Sequence, residues 1–332
     1  MPFSDFFARW LPPFENELRE IVGRADRPAF AALYGMLHYH LGWADADFKP
    51  RSTPAGKRIR PLLCLLVCEA AGADPRTALP AAAGIELLHN FSLIHDDVED
   101  NSELRRGRPT MWKLWGVPQA INAGDAMYTI AHSAFLRLDV PPDRQIAAHR
   151  RFSRTCLRLT QGQHLDLDFE SRGDVSTDDY LEMIGGKTAA LISGAAAIGA
   201  IIAGSDKVDD YSEFGAGLGL AFQIHDDVLG VWGDPQLTGK SAASDIAGRK
   251  KTLPILYGLE HSAEFRALYD APEIDVPRAV QLLEHTGANE YAEQMAGAYT
   301  QKAMSALDAA RPTGEAGGML RELSAYLLNR QI

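Results

Sequence analysis

One pentapeptide occurs twice in the chain, as Ile94-His95-Asp96-Asp97-Val98 and as Ile224-His225-Asp226-Asp227-Val228. Each copy closes an apolar run of helical periodicity, so both acidic pairs are expected at helix C-termini, the negative end of the helix dipole. A bound cation would remove that conflict. On a helix Asp96 and Asp100 lie four apart and share a face, with side-chain roots about 6 Å from one another. Both can then hold one hydrated cation cluster. Sparse aspartates suit magnesium, which keeps several waters and takes one or two carboxylates together with phosphate oxygens of a substrate. An acidic run alone is usually a solvated helix end. Two copies in one context, each followed by basic residues, point instead to magnesium and a phosphorylated ligand. His95 and His225 are read as hydrogen-bonding neighbours of the boxes and left out of the metal set.

Basic residues answer the acids. Gly56-Lys57-Arg58-Ile59-Arg60-Pro61 opens a helix with proline in its first turn, and Lys57 and Arg60, three apart, can converge on one anion near the helix N-terminus. Arg105 and Arg106 follow the first box, Lys187 and Thr188 lie in GGKT, Lys240 lies in TGKS, and Lys250 and Lys251 lie in GRKKT. Two acidic boxes with separate basic elements describe two diphosphates, one held through metal and the other by direct Arg and Lys contacts.

The elements that must carry these residues are helices. Apolar residues recur at helical intervals from Phe14 to Leu41 with a break near Gly23 to Pro28, from Pro61 to Ala71, and from Leu79 to about Asp100. The same holds for Val117 to Leu138, Arg144 to about Phe169, and Thr177 to Gly204. No alternating runs of strand type are found, so the fold class is all-α. Loops are short and polar, and no linker or composition shift divides the chain. Residues 1–332 are expected to form a single domain, a bundle of ten or more helices, with the motif-free segment after about Pro272 completing it.

Composition narrows the function classes. A formal net charge of −11 argues against a nucleic-acid partner, which demands clustered Lys and Arg. Three cysteines, Cys64, Cys68 and Cys156, are too few and too irregular for a disulfide framework, and cytosolic residence follows as the simpler expectation. No export signal is visible at the N-terminus. The most apolar stretch, Ala189 to Gly204, spans about 24 Å as a helix against a hydrocarbon core of about 30 Å, and is read as a buried helix of small residues.

These motifs resemble those of the trans-isoprenyl diphosphate synthases. GKRIRP, the first box with LRRGRPT, GQHLDL, GGKT, FQIHDD, TGKS and SDI…KKT stand in that family's order from about Pro54 to Pro254. The resemblance implies an all-α bundle around a deep cavity, a homodimer, and about three magnesium ions per site. Asp96 and Asp100 would hold two ions and Asp226 the third, with Asp97 and Asp227 as occasional ligands or outer partners. Arg105, Lys187 and Lys240 would grip the allylic diphosphate, and Lys57, Arg60, His89 and Arg106 would bind isopentenyl diphosphate. Gln163, Asp166, Thr188 and Gln223 match positions lining the cavity, and Lys250 matches a lysine near the allylic diphosphate. The chain departs from many relatives at Gly230, where they carry a further acid. Asp234 is the nearby candidate to help through water.

The implied reaction is head-to-tail condensation of isopentenyl diphosphate with an allylic diphosphate (dimethylallyl, geranyl or farnesyl), and the departing diphosphate is the candidate base. Product length should depend on what blocks the cavity below the first box. Phe91 lies about 7.5 Å deeper along the helix than Asp96, and Ser92 lies one turn below it. One aromatic with no insertion in the box points, by the resemblance, to geranylgeranyl diphosphate, with farnesyl diphosphate as the alternative. A class I terpene cyclase would have no use for Lys57, Arg60 and Arg106, and a non-catalytic synthase subunit should have lost its acids.

Overall fold

The computed structural model describes residues 3–23, 27–53, 56–233 and 243–328. They fold as helices: α1 Phe3–Gly23, α2 Ala31–His40, α3 Ile59–Ala70, α4 Leu79–Glu99, α5 Met111–Trp115, α6 Val117–Ala134, α7 Pro142–Ser171 and α8 Thr177–Ile184. There follow α9 Ala190–Ala203, α10 Val208–Trp232, α11 Ser244–Ala247, α12 Leu253–His261, α13 Ala263–Tyr269, α14 Val276–Thr286, α15 Ala288–Ala310 and α16 Ala316–Leu328. The all-α expectation holds, with one addition. Among the described residues a miniature antiparallel hairpin, β1 Leu104–Arg105 and β2 Arg108–Pro109, pairs Leu104 with Pro109 and Arg105 with Arg108. Its two central residues, Arg106 (φ 53°) and Gly107 (φ 72°), both have positive φ, as a type I′ hairpin turn requires. Strands of two residues are too short to leave a periodic signal in the sequence.

The chain forms two compact units. The first comprises residues through Phe152 with Ile198–Asp206 and Thr313–Ala316; the second comprises Ser153–Ala197, Lys207–Pro312 and the residues from Gly317 on. In the first, α1 buries Phe6, Trp10, Phe14, Leu18, Ile21 and Val22, a stripe at helical spacing. The central element is α4, which packs on α6, α3 and α1. Residues Ala81 to Leu88 of α4 are buried on every face, which explains its broad apolar run. All of Leu62 to Cys68 on α3 is likewise buried, and Cys64, Cys68 and Cys156 are buried cysteines outside any disulfide.

In the second unit α10 runs along α15. Small residues permit the close approach: a Cβ on Gly217 would stand 2.9 Å from the Tyr299 carbonyl oxygen, and Ala292, Ala296 and Ala303 are fully buried. Between α8 and α9, Gly185–Ala189 makes a π-helical turn, so the helical stretch Thr177–Ala203 bulges once along its length. That stretch is apolar and long enough to cross a membrane by composition, and 78% of its most apolar window is buried within the protein, as expected of a core helix.

Candidate active site

In the first unit the last turns of α4 carry the first acidic box, with Asp100 as the C-cap residue and no basic residue in the last turn. The expected conflict with the helix dipole is therefore present. The acids do not act alike, because neighbours on a helix project about 100° apart. Asp96 is partly accessible, while the Asp97 side chain is 2% exposed and turns inward. The Arg105 guanidinium bridges the pair, with Nε donating to Asp97 Oδ1 at 2.6 Å and Nη2 donating to Asp96 Oδ2 at 3.2 Å. Burial pushes the Asp97 carboxyl up to about 6, against the opposing pull of Arg105.

The hairpin that delivers Arg105 is tied back to the helix end. Ser102 N–H donates to the Asp97 carbonyl at 2.9 Å, and the Ser102 carbonyl accepts from Thr110 Oγ1 and Trp112 Nε1, both at 2.8 Å. Arg108 braces its other side, donating to Thr53 Oγ1 at 2.8 Å and to the Ala44 carbonyl at 2.9 Å. Arg106, at the hairpin tip, lays its guanidinium against Gly56, where an added Cβ would meet Nη2 at 3.1 Å. Lys57 is exposed beside it. Arg60 Nη1 lies 3.4 Å from His89 Nε2. Burial, then the charges of Arg60, Arg106 and Arg105, hold His89 well below the ordinary histidine range, so it is neutral. The structure thus gathers Arg60, His89 and Arg106 beside the last turns of α4.

Two residues of this region were missed. Arg58, in left-handed conformation (φ 50°) at the start of α3, turns away from its neighbours into the protein. It donates to Glu15 Oε1 at 2.8 Å and to Glu86 Oε1 at 2.6 Å, and Asn90 Nδ2 also donates to Glu86 Oε1, at 2.9 Å. His40, at the end of α2, has a buried Nε2 without a hydrogen-bond partner. Burial and the charges of Arg106, Arg105, Arg108 and Arg58 push it down to about 3. The one sequence signal for Arg58 was its place between Lys57 and Arg60, off their shared face; His40 gave none.

Phe91 packs on Tyr128 of α6, ring centroids 5.0 Å apart, and on His95 at 4.7 Å. The column continues through His132, 4.8 Å from Tyr128, whose Nδ1 lies 2.9 Å from His149 Nε2. Ser92 Oγ bonds the His89 carbonyl at 2.8 Å. His95 itself fits over Gly124, with Nε2 3.4 Å from the Ile121 carbonyl oxygen, in keeping with its reading as a hydrogen-bonding neighbour.

The second box differs from expectation: α10 continues to Trp232, six residues past Asp226. The reason is that Val228, Gly230 and Val231 keep the buried periodicity going. Asp227 is buried, and both its oxygens are taken, Oδ2 by the Tyr180 hydroxyl at 2.6 Å and Oδ1 by Gln223 Nε2 at 2.9 Å. Gln223 Oε1 in turn accepts from Thr188 Oγ1 at 2.7 Å. Burial is the main cause pushing Asp227 up to about 7. Tyr180 is a third missed residue, 47 positions from its partner. Asp226 is half-buried, and His225 turns to Glu293 at 3.7 Å.

Lys187 sits in the π-helical turn and pairs with Asp166 of α7. The approach is close because Gly162 and Gly186 meet backbone to backbone; a Cβ on Gly162 would lie 2.0 Å from the Lys187 nitrogen. Gln163 follows Gly162 and is half-buried. The two adjoining lysines diverge: Lys250 lies 3.7 Å from Glu170, whereas Lys251 stands over the Tyr269 ring at 4.9 Å. Lys251 also lines a cavity of about 520 Å³ with Val175, Leu256 and Arg266. Lys240 and Asp234 lie outside the described residues.

Among the described residues no group of three or more His, Cys, Asp or Glu side chains could by itself hold a metal ion. The donors that are present, accessible Asp96 and Asp100 at a helix end lacking a basic residue, and half-buried Asp226, are hard oxygens. Within each unit taken by itself these are donors of the type magnesium takes, since it needs few carboxylates and completes its shell with water and phosphate oxygens.

Residues 47–284 match the polyprenyl synthetase family. The chain is 39% identical over 330 residues to a (2E,6E)-farnesyl diphosphate synthase of Mycobacterium tuberculosis, covering 95% of this chain and 89% of that one. It is 41% identical over 304 residues to a geranylgeranyl diphosphate synthase of the same organism, covering 88% and 86%. Among solved structures, a polyprenyl synthetase from Streptomyces coelicolor superposes with a TM-score of 0.90 at 35% identity, covering 98% of this chain and 99% of that one.

Proposed function

The chain belongs to the polyprenyl synthetase family and is a short-chain isoprenyl diphosphate synthase, and we propose that its main product is geranylgeranyl diphosphate. The observation that carries this reading is the end of α4, where Arg105 of the hairpin donates to Asp96, one turn before Asp100, while Arg60, His89 and Arg106 gather beside them. Asp96, Asp100 and Asp226 are the proposed magnesium ligands. Arg105, Lys187 and Lys240 bind the allylic diphosphate with Lys250 nearby, and Lys57, Arg60, His89 and Arg106 bind isopentenyl diphosphate. Gln163, Asp166, Thr188 and Gln223 line the reaction site, and the whole chain serves as a single catalytic domain.

In the condensation, the bond between the allylic carbon and its diphosphate oxygen breaks, the isopentenyl alkene supplies the electron pair for the new carbon–carbon bond, and one proton leaves the isopentenyl C2. Bound magnesium, about three ions by family likeness, would neutralise the leaving diphosphate. Arginine and lysine side chains hold both diphosphates by charge-assisted hydrogen bonds. Neutral His89 offers its ring nitrogen without adding a charge that would compete with Arg60. Asp97 and Asp227 direct their neighbours: Asp97 orients Arg105, and Asp227 orients Gln223.

The length assignment rests on Phe91 and the column of Tyr128, His132 and His149 behind it, which gives the chain an aromatic stop below the box. Farnesyl diphosphate is the second reading, favoured by the farnesyl synthase relative. A second copy of the chain is the proposed partner, since Val117 and Ile121, four apart on α6, and Leu114 on α5 are apolar and 41%, 42% and 36% exposed. The proposed location is the cytoplasm.

The test is a product assay with magnesium, labelled isopentenyl diphosphate and each allylic starter, followed by phosphatase treatment. A C20 alcohol abolished by chelator and by Asp96→Ala is the expected result. A C15 alcohol would replace the length assignment, and a cyclic hydrocarbon from one diphosphate would replace the reaction.

A further inference from the structure

The second aspartate box has no acid one turn beyond Asp226, because that position is Gly230. In the first box the corresponding place is filled by Asp100. The glycine leaves a cradle on α10, and the cradle is filled from another element. A Cβ placed on Gly230 would lie 2.0 Å from Oδ2, 2.5 Å from Cγ and 3.0 Å from Oδ1 of Asp245. No side chain at 230 can share that space. The Asp245 carboxylate therefore stands where a side chain at 230 would begin, on the face of α10 one turn from Asp226.

We propose that Asp245 is the third carboxylate of the second box, supplied by tertiary contact instead of by helix spacing. Its role is that of a positioning residue. Magnesium retains several of its waters, and the Asp245 carboxylate accepts hydrogen bonds from the waters of the ion that Asp226 holds. This agrees with the absence, among the described residues, of any three side chains that could enclose an ion directly. Asp245 also bears on the rest of the box: its charge is one of those that raise the buried Asp227 carboxyl. The inference rests on the magnesium-dependent reading of the site.

The experiment titrates inorganic pyrophosphate into the full chain by calorimetry at several magnesium concentrations. Wild type is compared with Asp245→Asn, Asp245→Ala and the double variant Gly230→Asp/Asp245→Ala, with helicity and melting recorded for each. Loss of an outer partner typically weakens metal affinity about 10- to 100-fold, so both single variants should need about that much more magnesium for half-saturation. The double variant, which returns the carboxylate to α10, should recover most of the loss. Wild-type magnesium dependence in Asp245→Asn overturns the proposal, as does a double variant no better than Asp245→Ala. Should the alanine variant fail to fold, the near-isosteric asparagine carries the test. If the wild type itself binds pyrophosphate without magnesium, the magnesium reading falls and this inference with it, whereas magnesium-dependent wild-type binding with unaffected variants removes the inference alone.

Discussion

The Tyr180 hydroxyl donates to Asp227 Oδ2 at 2.6 Å, across a separation of 47 residues, while Gln223 donates to Oδ1. Both oxygens of the carboxylate next to Asp226 are thereby engaged, which fixes the turn of α10 on which Asp226 stands. Tyr180→Phe removes one donor without changing the volume of the core. The magnesium concentration for half-maximal product formation should rise about tenfold, with the KM for isopentenyl diphosphate unchanged. An unchanged magnesium requirement would show that Asp227 needs only Gln223.

Arg58 and Glu86 form a buried pair, their side chains 3% and 4% exposed. Replacing one member of such a pair strands the other charge and costs about 3–5 kcal/mol. Arg58→Met should lower the denaturation midpoint accordingly, and adding Glu86→Gln should recover part of it. Equal midpoints for the wild type and Arg58→Met would refute the assignment.

His40 gives the fold an acid sensitivity. Its folded pKa, about 3, lies below the unfolded value of about 6.5. The unfolded chain therefore takes up a proton that the folded chain refuses. This contribution to stability is complete above about pH 6.5 and is lost as pH falls towards 3, amounting to ~2 kcal/mol at pH 5. Denaturation of wild type and His40→Gln at pH 7.5 and pH 5 measures it, and the wild type should lose about that much more than the variant. Parallel losses would mean that the histidine is charged in the folded protein.

Gly162 has no room for a methyl group, since its Cβ would reach within 2.0 Å of the Lys187 nitrogen. Gly162→Ala should push the π-helical turn off α7, costing about 1–3 kcal/mol and reducing product formation at least tenfold. Melting and steady-state rates check the two effects separately.

Phe91→Ala should lengthen the product by one or more isoprene units, because it opens space above Tyr128. Chain-length analysis after phosphatase treatment reads the result. An unchanged distribution would move the stop to Tyr128 or beyond.

What was legible in the sequence was what repeats over short distances. The periodicity of Leu79 to Asp100 located α4 within a residue, and the spacing of Asp96 and Asp100 placed both on its last turns. GKRIRP correctly announced the start of α3. The second box was placed at a helix end because its acids interrupt an apolar run, whereas Val228 and Val231 carry the buried face through to Trp232. Asp97 and Asp227 read, by the resemblance, as occasional ligands or outer partners, and the turn of about 100° between adjacent helical residues sends Asp97 to Arg105 and Asp227 to Tyr180 and Gln223. Tyr180 and Glu86 meet their partners only through folding, and no local pattern marks them; Asp245 stands in the SDI motif, but its approach to Gly230 is likewise made only by folding. Lys250 and Lys251 were indistinguishable until the backbone sent one towards Glu170 and the other over Tyr269.

The turn Gly185–Ala189 carries one more consequence. A π turn holds an extra residue, so everything after it in α9 is rotated by about 100° from the course of an unbroken α-helix. Two stretches of one helix thus answer to different neighbours, Tyr180 and Lys187 to Asp227 and Asp166, and Ala195 to Ala200 to the core. Deleting a single residue here would yield the straighter helix with the better backbone hydrogen bonds, and would set either the lysine or the core face out of phase. The irregularity is the phase shift that lets a single helix serve both.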